Sequence, residues 1–207
     1  MLPTQVKLVD VGPRDGLQNE AQPIATEHKI ALIHRLQAAG LREIEATSFV
    51  SPKWVPQMGD NSAVMAGIQR KSGVRYSVLT PNMKGFEGAL ESKADEVVIF
   101  AAASEAFSQR NINCSIAESI ERFRPVVEAA HANQMKVRAA VSCALGCPYQ
   151  GEVSVDAVSD VVRRLLDIGT DHIGIADTIG VGTAGRVSMV FEAVLKAQPA
   201  YSVAGHF

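Results

Sequence analysis

Short β-branched apolar runs alternate along the chain with stretches whose apolar residues recur every three or four positions. The runs predict seven strands, at residues 6–11, 43–49, 75–80, 96–101, 136–142, 172–176 and 201–207. Between them, Ile30, Ile33 and Leu36 mark a helix that ends at Gly40. Phe123, Val127 and Ala130 mark another, whose start at Ser115-x-x-Glu118 fits a reciprocal capping box. Val158, Val161 and Leu165 mark a third, which stops near Gly169. Strict strand–helix succession implies right-handed crossovers and a parallel sheet. Val97-Val98-Ile99-Phe100 has the unbroken apolar character of a strand covered on both faces.

An open doubly wound sheet and a closed eightfold barrel both accept this rhythm, and they differ in where polar residues gather. An open sheet concentrates ligand residues at one switch point, whereas a barrel spreads them over every strand end. Here polar groups follow almost every strand: Arg14-Asp15, then Glu45 with Thr47 and Ser48, Thr80 with Asn82, Ser104-Glu105, Ser142-Cys143, Asp177-Thr178 and finally His206. The pattern predicts an α/β chain of the (β/α)8 TIM-barrel class, incomplete, with seven strands present and the eighth missing. Residues 1–207 are expected to be one partial catalytic domain, a piece of a longer polypeptide, because a missing eighth strand would leave parallel edges uncovered.

Composition narrows the partners. A chain of 207 residues, 47% hydrophobic, is long enough for one sizeable core. A net charge of −2 without a basic run argues against nucleic acid and anionic membranes, and so for a small-molecule partner. Three cysteines without a secreted spacing fit free thiols in the cytoplasm. Apolar runs are strand-length, and no leader is expected before the first strand.

The residues themselves nominate a site. Arg14-Asp15 sets a fixed cation beside a carboxylate that could ligate a metal, at the end of the first strand. His206 is the last polar side chain of the seventh, so the two would share one rim of a parallel barrel. Glu45 lies in an apolar strand, where an ionised carboxylate needs a partner, structural or catalytic. Asp177 is either a site residue or a cap for the loop that follows it. Gly180-Val181-Gly182-Thr183-Ala184-Gly185 spells a dinucleotide fingerprint, but no acidic residue follows at the required distance, so a tight strand–helix loop is the better reading. Cys143-x-x-x-Cys147 lacks the second pair of a zinc site. His28, His34 and His131 fall on helices and are expected to be solvated.

Several segments together resemble the 3-hydroxy-3-methylglutaryl-CoA lyase family: 12–20 (Gly-Pro-Arg-Asp-Gly-Leu-Gln-Asn-Glu), 45–58 with its Ser-Phe-Val-Ser-Pro-Lys-Trp stretch, 111–115 (Asn-Ile-Asn-Cys-Ser), 141–149 and 177–183. The likeness covers essentially the whole chain. It implies a divalent-metal barrel that cleaves 3-hydroxy-3-methylglutaryl-CoA into acetyl-CoA and acetoacetate, in leucine breakdown and ketone-body formation. By this resemblance Asp15 and His206 would ligate Mg2+ or Mn2+. Arg14 would touch substrate and stabilise enolate charge, Glu45 and Asp177 would line the site, and Gln18 and Ser48 would contact substrate. The family's second metal-binding histidine, an asparagine ligand and a catalytic cysteine loop belong beyond Phe207. Cys147 stands after the fifth strand and is not that cysteine. Ala140 stands where the family carries an aromatic residue. The resemblance leaves open a Claisen-type synthase of the same superfamily, a silent partial barrel that pairs its edges with another copy, and a homo-oligomer.

Overall fold

The computed structural model describes residues 5–207. The expected lack of a leader turns on residues 1–4, which lie outside the described residues. The chain divides into two compact units, one up to Val97 and one from Val98 to Phe207. Strands follow one another in chain order, and β4 (Glu96–Ala102) carries the division.

The first unit holds β1 (Val9–Asp10), α1 (Thr26–Ala38), β2 (Glu43–Ser48), α2 (Asn61–Gly67), β3 (Arg75–Leu79) and α3 (Met83–Glu91). β1 pairs with β2 and β2 with β3, all parallel. The first strand is far shorter than the apolar run 6–11 suggests, and the register gives the reason. Val9 is opposite Glu43, the first residue of β2, so residues before Val9 have no strand to pair with; Val6 and Leu8 are accordingly exposed. On β2 the register slips between Glu45 and Thr47, which makes Ala46 the extra residue of a bulge. Such a bulge re-aims the side chains around it. Ile33, Ile44, Val64, Tyr76 and Val78 form this unit's core.

The second unit holds α4 (Glu105–Ile112), α5 (Ile116–Ala132), β5 (Lys136–Ser142), α6 (Val155–Asp167), β6 (His172–Ala176), α7 (Ala184–Val194) and β7 (Val203–His206). β5 pairs with β6 and β6 with β7, again parallel. α5 begins with the capping box that its sequence predicts. Ser115 Oγ accepts from the Glu118 amide at 3.2 Å, and Glu118 Oε2 accepts from the Ser115 amide at 2.8 Å. β7 starts two residues later than expected, because Val203 is the partner of Ile173 near the start of β6 and Ala200–Ser202 coil into a 3-10 turn. Burial alternates along β5, with Val137, Ala139 and Val141 packed and Arg138, Ala140 and Ser142 on the other face. Val126, Val127, Val158, Leu165, Ile173 and Ile175 complete the core.

Candidate functional site

The site residues of the first unit are built around one guanidinium. After β1 the chain closes a single wide turn over Gly12–Gly16, in which the Asp15 and Gly16 amides both donate to Val11 O, at 2.7 and 3.4 Å. Pro13 fits the start of this turn, where its missing N–H has no partner to lose. The turn folds Arg14 inward against β2. Arg14 Nε donates to Glu45 Oε1 at 2.5 Å, and Nη1 donates to Asp15 Oδ1 at 2.5 Å. Among the described residues the Nη2 edge has no hydrogen-bond partner.

Burial separates the two carboxylates. The side chains of Arg14 and Glu45 are 9% and 1% exposed, whereas that of Asp15 is 36% exposed. A charge as buried as Glu45 persists only when paired and hydrogen-bonded, and Arg14 supplies both. Ser48 ends β2, fully buried, with its hydroxyl accepting from the Val50 amide at 3.2 Å. Gln18 is half-buried just beyond the turn.

In the second unit, Asp177 and His206 come together at the ends of β6 and β7: the Asp177 amide donates to His206 O at 2.9 Å. The Asp177 carboxylate is turned onto its own loop. Oδ1 accepts from the Val181 amide at 3.1 Å and Oδ2 from the Gly182 amide at 2.8 Å. The glycine-rich loop therefore spends two of its N–H groups on a carboxylate of its own chain. Thr183 caps α7 by accepting from the Arg186 amide at 3.3 Å. A side chain at Gly182 would meet Asp177 Oδ2 at 2.9 Å and Leu145 Cδ1 at 2.5 Å, so any larger residue there would have to displace those side chains.

A polar network that the sequence pattern does not announce supports the first unit's site. The apolar residues of α1 suggest a face of Ile30, Ile33 and Leu36, yet its buried positions are Lys29, Ile33 and Gln37. Lys29 Nζ donates to Asp60 Oδ1 at 2.6 Å and also to Gln57 O, and Thr26 Oγ1 donates to Asp60 Oδ2 at 2.7 Å. Asn61 Nδ2 donates to Ser48 O at 3.0 Å, so the loop behind Ser48 is tied both to α1 and to the end of β2. The i, i+4 spacing of Lys29, Ile33 and Gln37 was the available signal. His28 and His131 are exposed, as expected, and His131 Nε2 lies 3.0 Å from Asp171 Oδ2, whereas His34 is half-buried and its Nε2 accepts from the Gln69 amide at 2.9 Å.

The donor types fit a hard divalent cation: Asp15 offers carboxylate oxygen and His206 an imidazole. Among the described residues no group of three or more His, Cys, Asp or Glu gathers into a metal cluster. No helix of the described residues is long and apolar enough to cross a membrane.

The family described as HMGL-like matches residues 5–207. The 3-hydroxy-3-isohexenylglutaryl-CoA/hydroxymethylglutaryl-CoA lyase of Pseudomonas aeruginosa is 58% identical over 206 residues, covering 100% of this chain and 69% of the relative. The mitochondrial hydroxymethylglutaryl-CoA lyase of Rattus norvegicus is 56% identical, covering 99% of this chain and 63% of the relative. The crystal structure of hydroxymethylglutaryl-CoA lyase from Pseudomonas aeruginosa superposes with a TM-score of 0.97 at 58% identity, over 100% of this chain and 69% of that one. The chain thus spans about two thirds of the length of these relatives, and its fold is theirs, an incomplete TIM barrel of seven parallel strands.

Proposed function

The chain belongs to the HMGL-like family, and from that premise we propose that it carries a carbon–carbon lyase, cleaving 3-hydroxy-3-methylglutaryl-CoA into acetyl-CoA and acetoacetate. The observation that carries this reading is the buried Arg14, held between Glu45 and Asp15 at the end of β1. Retro-Claisen cleavage leaves negative charge on a thioester enolate, so the site needs a cation already fixed where that charge develops. Glu45 fixes the guanidinium through Nε, Asp15 through Nη1, and the remaining edge faces an enolate oxygen. An always-charged planar donor suits that task better than lysine.

Asp15 in the first unit and His206 in the second are each proposed as a ligand for a divalent ion, Mg2+ or Mn2+, which when bound would supply a positive charge for the substrate's oxygens. Asp177 keeps the β6–α7 loop in shape beside His206 and so acts as a positioning residue. Ser48 and Gln18 contribute polar contacts to the substrate. The partner is an acyl-CoA, the domain is a single partial barrel, and free buried thiols suit a reducing cytoplasm. Incubation of the protein at its natural length with substrate, with Mg2+ and then with chelator, tests the reading by the products. Equal acetyl-CoA and acetoacetate, lost on chelation, supports the lyase. Consumption of acetyl-CoA with an oxo acid supports the synthase instead.

One observation favours a broader substrate. Ala140, Gly174 and Ala204 are register partners on neighbouring strands, one level below Ala176 and His206 on the same face. Where three adjacent strands carry only small side chains, a longer alkyl group at the substrate's 3-position has room. The Pseudomonas aeruginosa relative is named for an isohexenyl as well as a methyl substrate. Substitution Ala140→Tyr should then cut turnover of the isohexenyl thioester far more than that of the methyl one.

A further inference from the structure

The loop after β5 holds two cysteines that the lyase reading does not use. Cys143 and Cys147 are both buried and neither forms a disulfide. They belong to one buried turn, in the Cys143-x-x-x-Cys147 spacing. Cys143 sits at φ +57°, a left-handed conformation that a residue with a Cβ adopts only under local constraint; its amide donates to Thr178 Oγ1 at 2.7 Å. Cys147 is clamped by a tight antiparallel turn, with its amide donating to Gly151 O at 2.8 Å and the Gly151 amide returning a bond to Cys147 O at 3.0 Å. Residues 148–152, which form this turn, are exposed.

The two sulfurs have opposite surroundings. Ser104 Oγ lies 2.9 Å from Cys147 Sγ and 2.7 Å from Gln150 Oε1, so its single proton can turn to either. The Tyr149 amide also donates to Cys147 Sγ, at 3.4 Å. Burial works against a thiolate at Cys147, but the donors from Ser104, Gln150, Tyr149 and Cys143 outweigh it and hold the thiol below its ordinary value. Burial, then the neighbouring Cys147, pushes the Cys143 thiol up to about 12. A sulfur ringed by donors beside a protonated thiol is the arrangement of an attacking and a resolving cysteine.

We propose that Cys143 and Cys147 form a peroxide-reactive dithiol pair, with Cys147 attacking and Cys143 resolving. The Cys147 thiolate attacks one oxygen of hydrogen peroxide; the O–O bond breaks, an S–O bond forms, and hydroxide leaves. Cys143 then attacks the Cys147 sulfenic sulfur, an S–S bond forms, and the departing hydroxide takes the Cys143 proton. Two thiols and one peroxide give one disulfide and two waters, so peroxide is the only oxidant required. The inference does not depend on the lyase reading.

The test treats the whole protein with hydrogen peroxide, alkylates remaining thiols and weighs the tryptic peptides. Residues 139–163, bounded by Arg138 and Arg163, contain both cysteines, and Cys114 lies in a different peptide. The expected result is an unalkylated 139–163 peptide about 2 Da lighter than its dithiol form, with Cys114 still alkylated. Cys143→Ser should leave a sulfenic acid at Cys147 that dimedone traps, and Cys147→Ser should slow oxidation of Cys143 at least about tenfold. Oxidation of Cys114 ahead of the pair, or unchanged oxidation of Cys143 in Cys147→Ser, overturns the proposal. Should a variant fail to fold, the peptide masses of the unmodified protein decide alone: full alkylation of both cysteines after peroxide counts against it.

Discussion

Arg14 Nε lies 2.5 Å from Glu45 Oε1, across 31 positions of sequence, with both side chains nearly closed to water. A buried pair of this kind contributes modestly as a pair, but breaking it from one side is costly, because the remaining buried charge loses this guanidinium. Arg14→Met should therefore destabilise the protein by about 3–5 kcal/mol. Urea unfolding of Arg14→Met, Glu45→Gln and the double variant should give a coupling of about 0.5–3 kcal/mol. Additive single effects would show that the contact does not act as a pair.

Asp177 predicts a local effect. Its carboxylate serves the Val181 and Gly182 amides, so Asp177→Ala should expose both to exchange with solvent deuterium while the β5 and β6 amides stay protected. The stability cost should be about 1–3 kcal/mol, the usual range for hydrogen bonds to a charged group. Unchanged exchange at Val181 and Gly182 would mean that the loop holds its shape without this carboxylate.

Asp171 predicts a pH dependence. Burial raises the cost of its charge, but Lys136 Nζ at 2.5 Å, the Val137 amide at 2.9 Å and His131 outweigh it, holding the carboxyl below its ordinary value. A folded value below the unfolded one means that the group stabilises the fold above the ordinary aspartate range, about 3.9, and that this contribution fades as pH falls through the folded value. Urea midpoints of wild type and Asp171→Asn should differ most near neutrality and converge in acid. A gap that widens on acidification would contradict the assignment.

The buried Lys29 predicts a fourth stability effect. Its ammonium joins α1 to Asp60 and Gln57, and Lys29→Met takes the cation from Asp60 while keeping the stem's length. Thermal melting should fall, and exchange at the amides of the 51–60 loop should quicken more than exchange in β3. Equal quickening everywhere would assign Lys29 to global packing rather than to the loop.

The alternation of elements was legible because strands covered on both faces and amphipathic helices have different periods, and β2 to β6 fall within a residue or two of the apolar runs. The ends were over-read. Val6, Leu8 and Tyr201 look like strand residues by type, but pairing requires a partner in register, and neither β2 nor β6 extends far enough to provide one. Arg14, Asp15 and Glu45 could be nominated from charged residues at strand ends, while the Arg14–Glu45 contact depends on the β1–β2 register and the turn at Gly12–Gly16, which no local pattern encodes. Asp177 had two readings in the sequence, and the contacts to Val181 and Gly182 show it bonded to its loop. Lys29 was hidden because charge is ordinarily read as the solvent face of a helix.

The release of acetyl-CoA from 3-hydroxy-3-methylglutaryl-CoA by the natural-length protein and by its Arg14→Gln variant, both with Mg2+ and both verified as folded, tests the central claim most directly. The wild type should release acetyl-CoA only with metal, and the variant should lose at least about 100-fold in turnover. A folded variant that cleaves the thioester at the wild-type rate would contradict it.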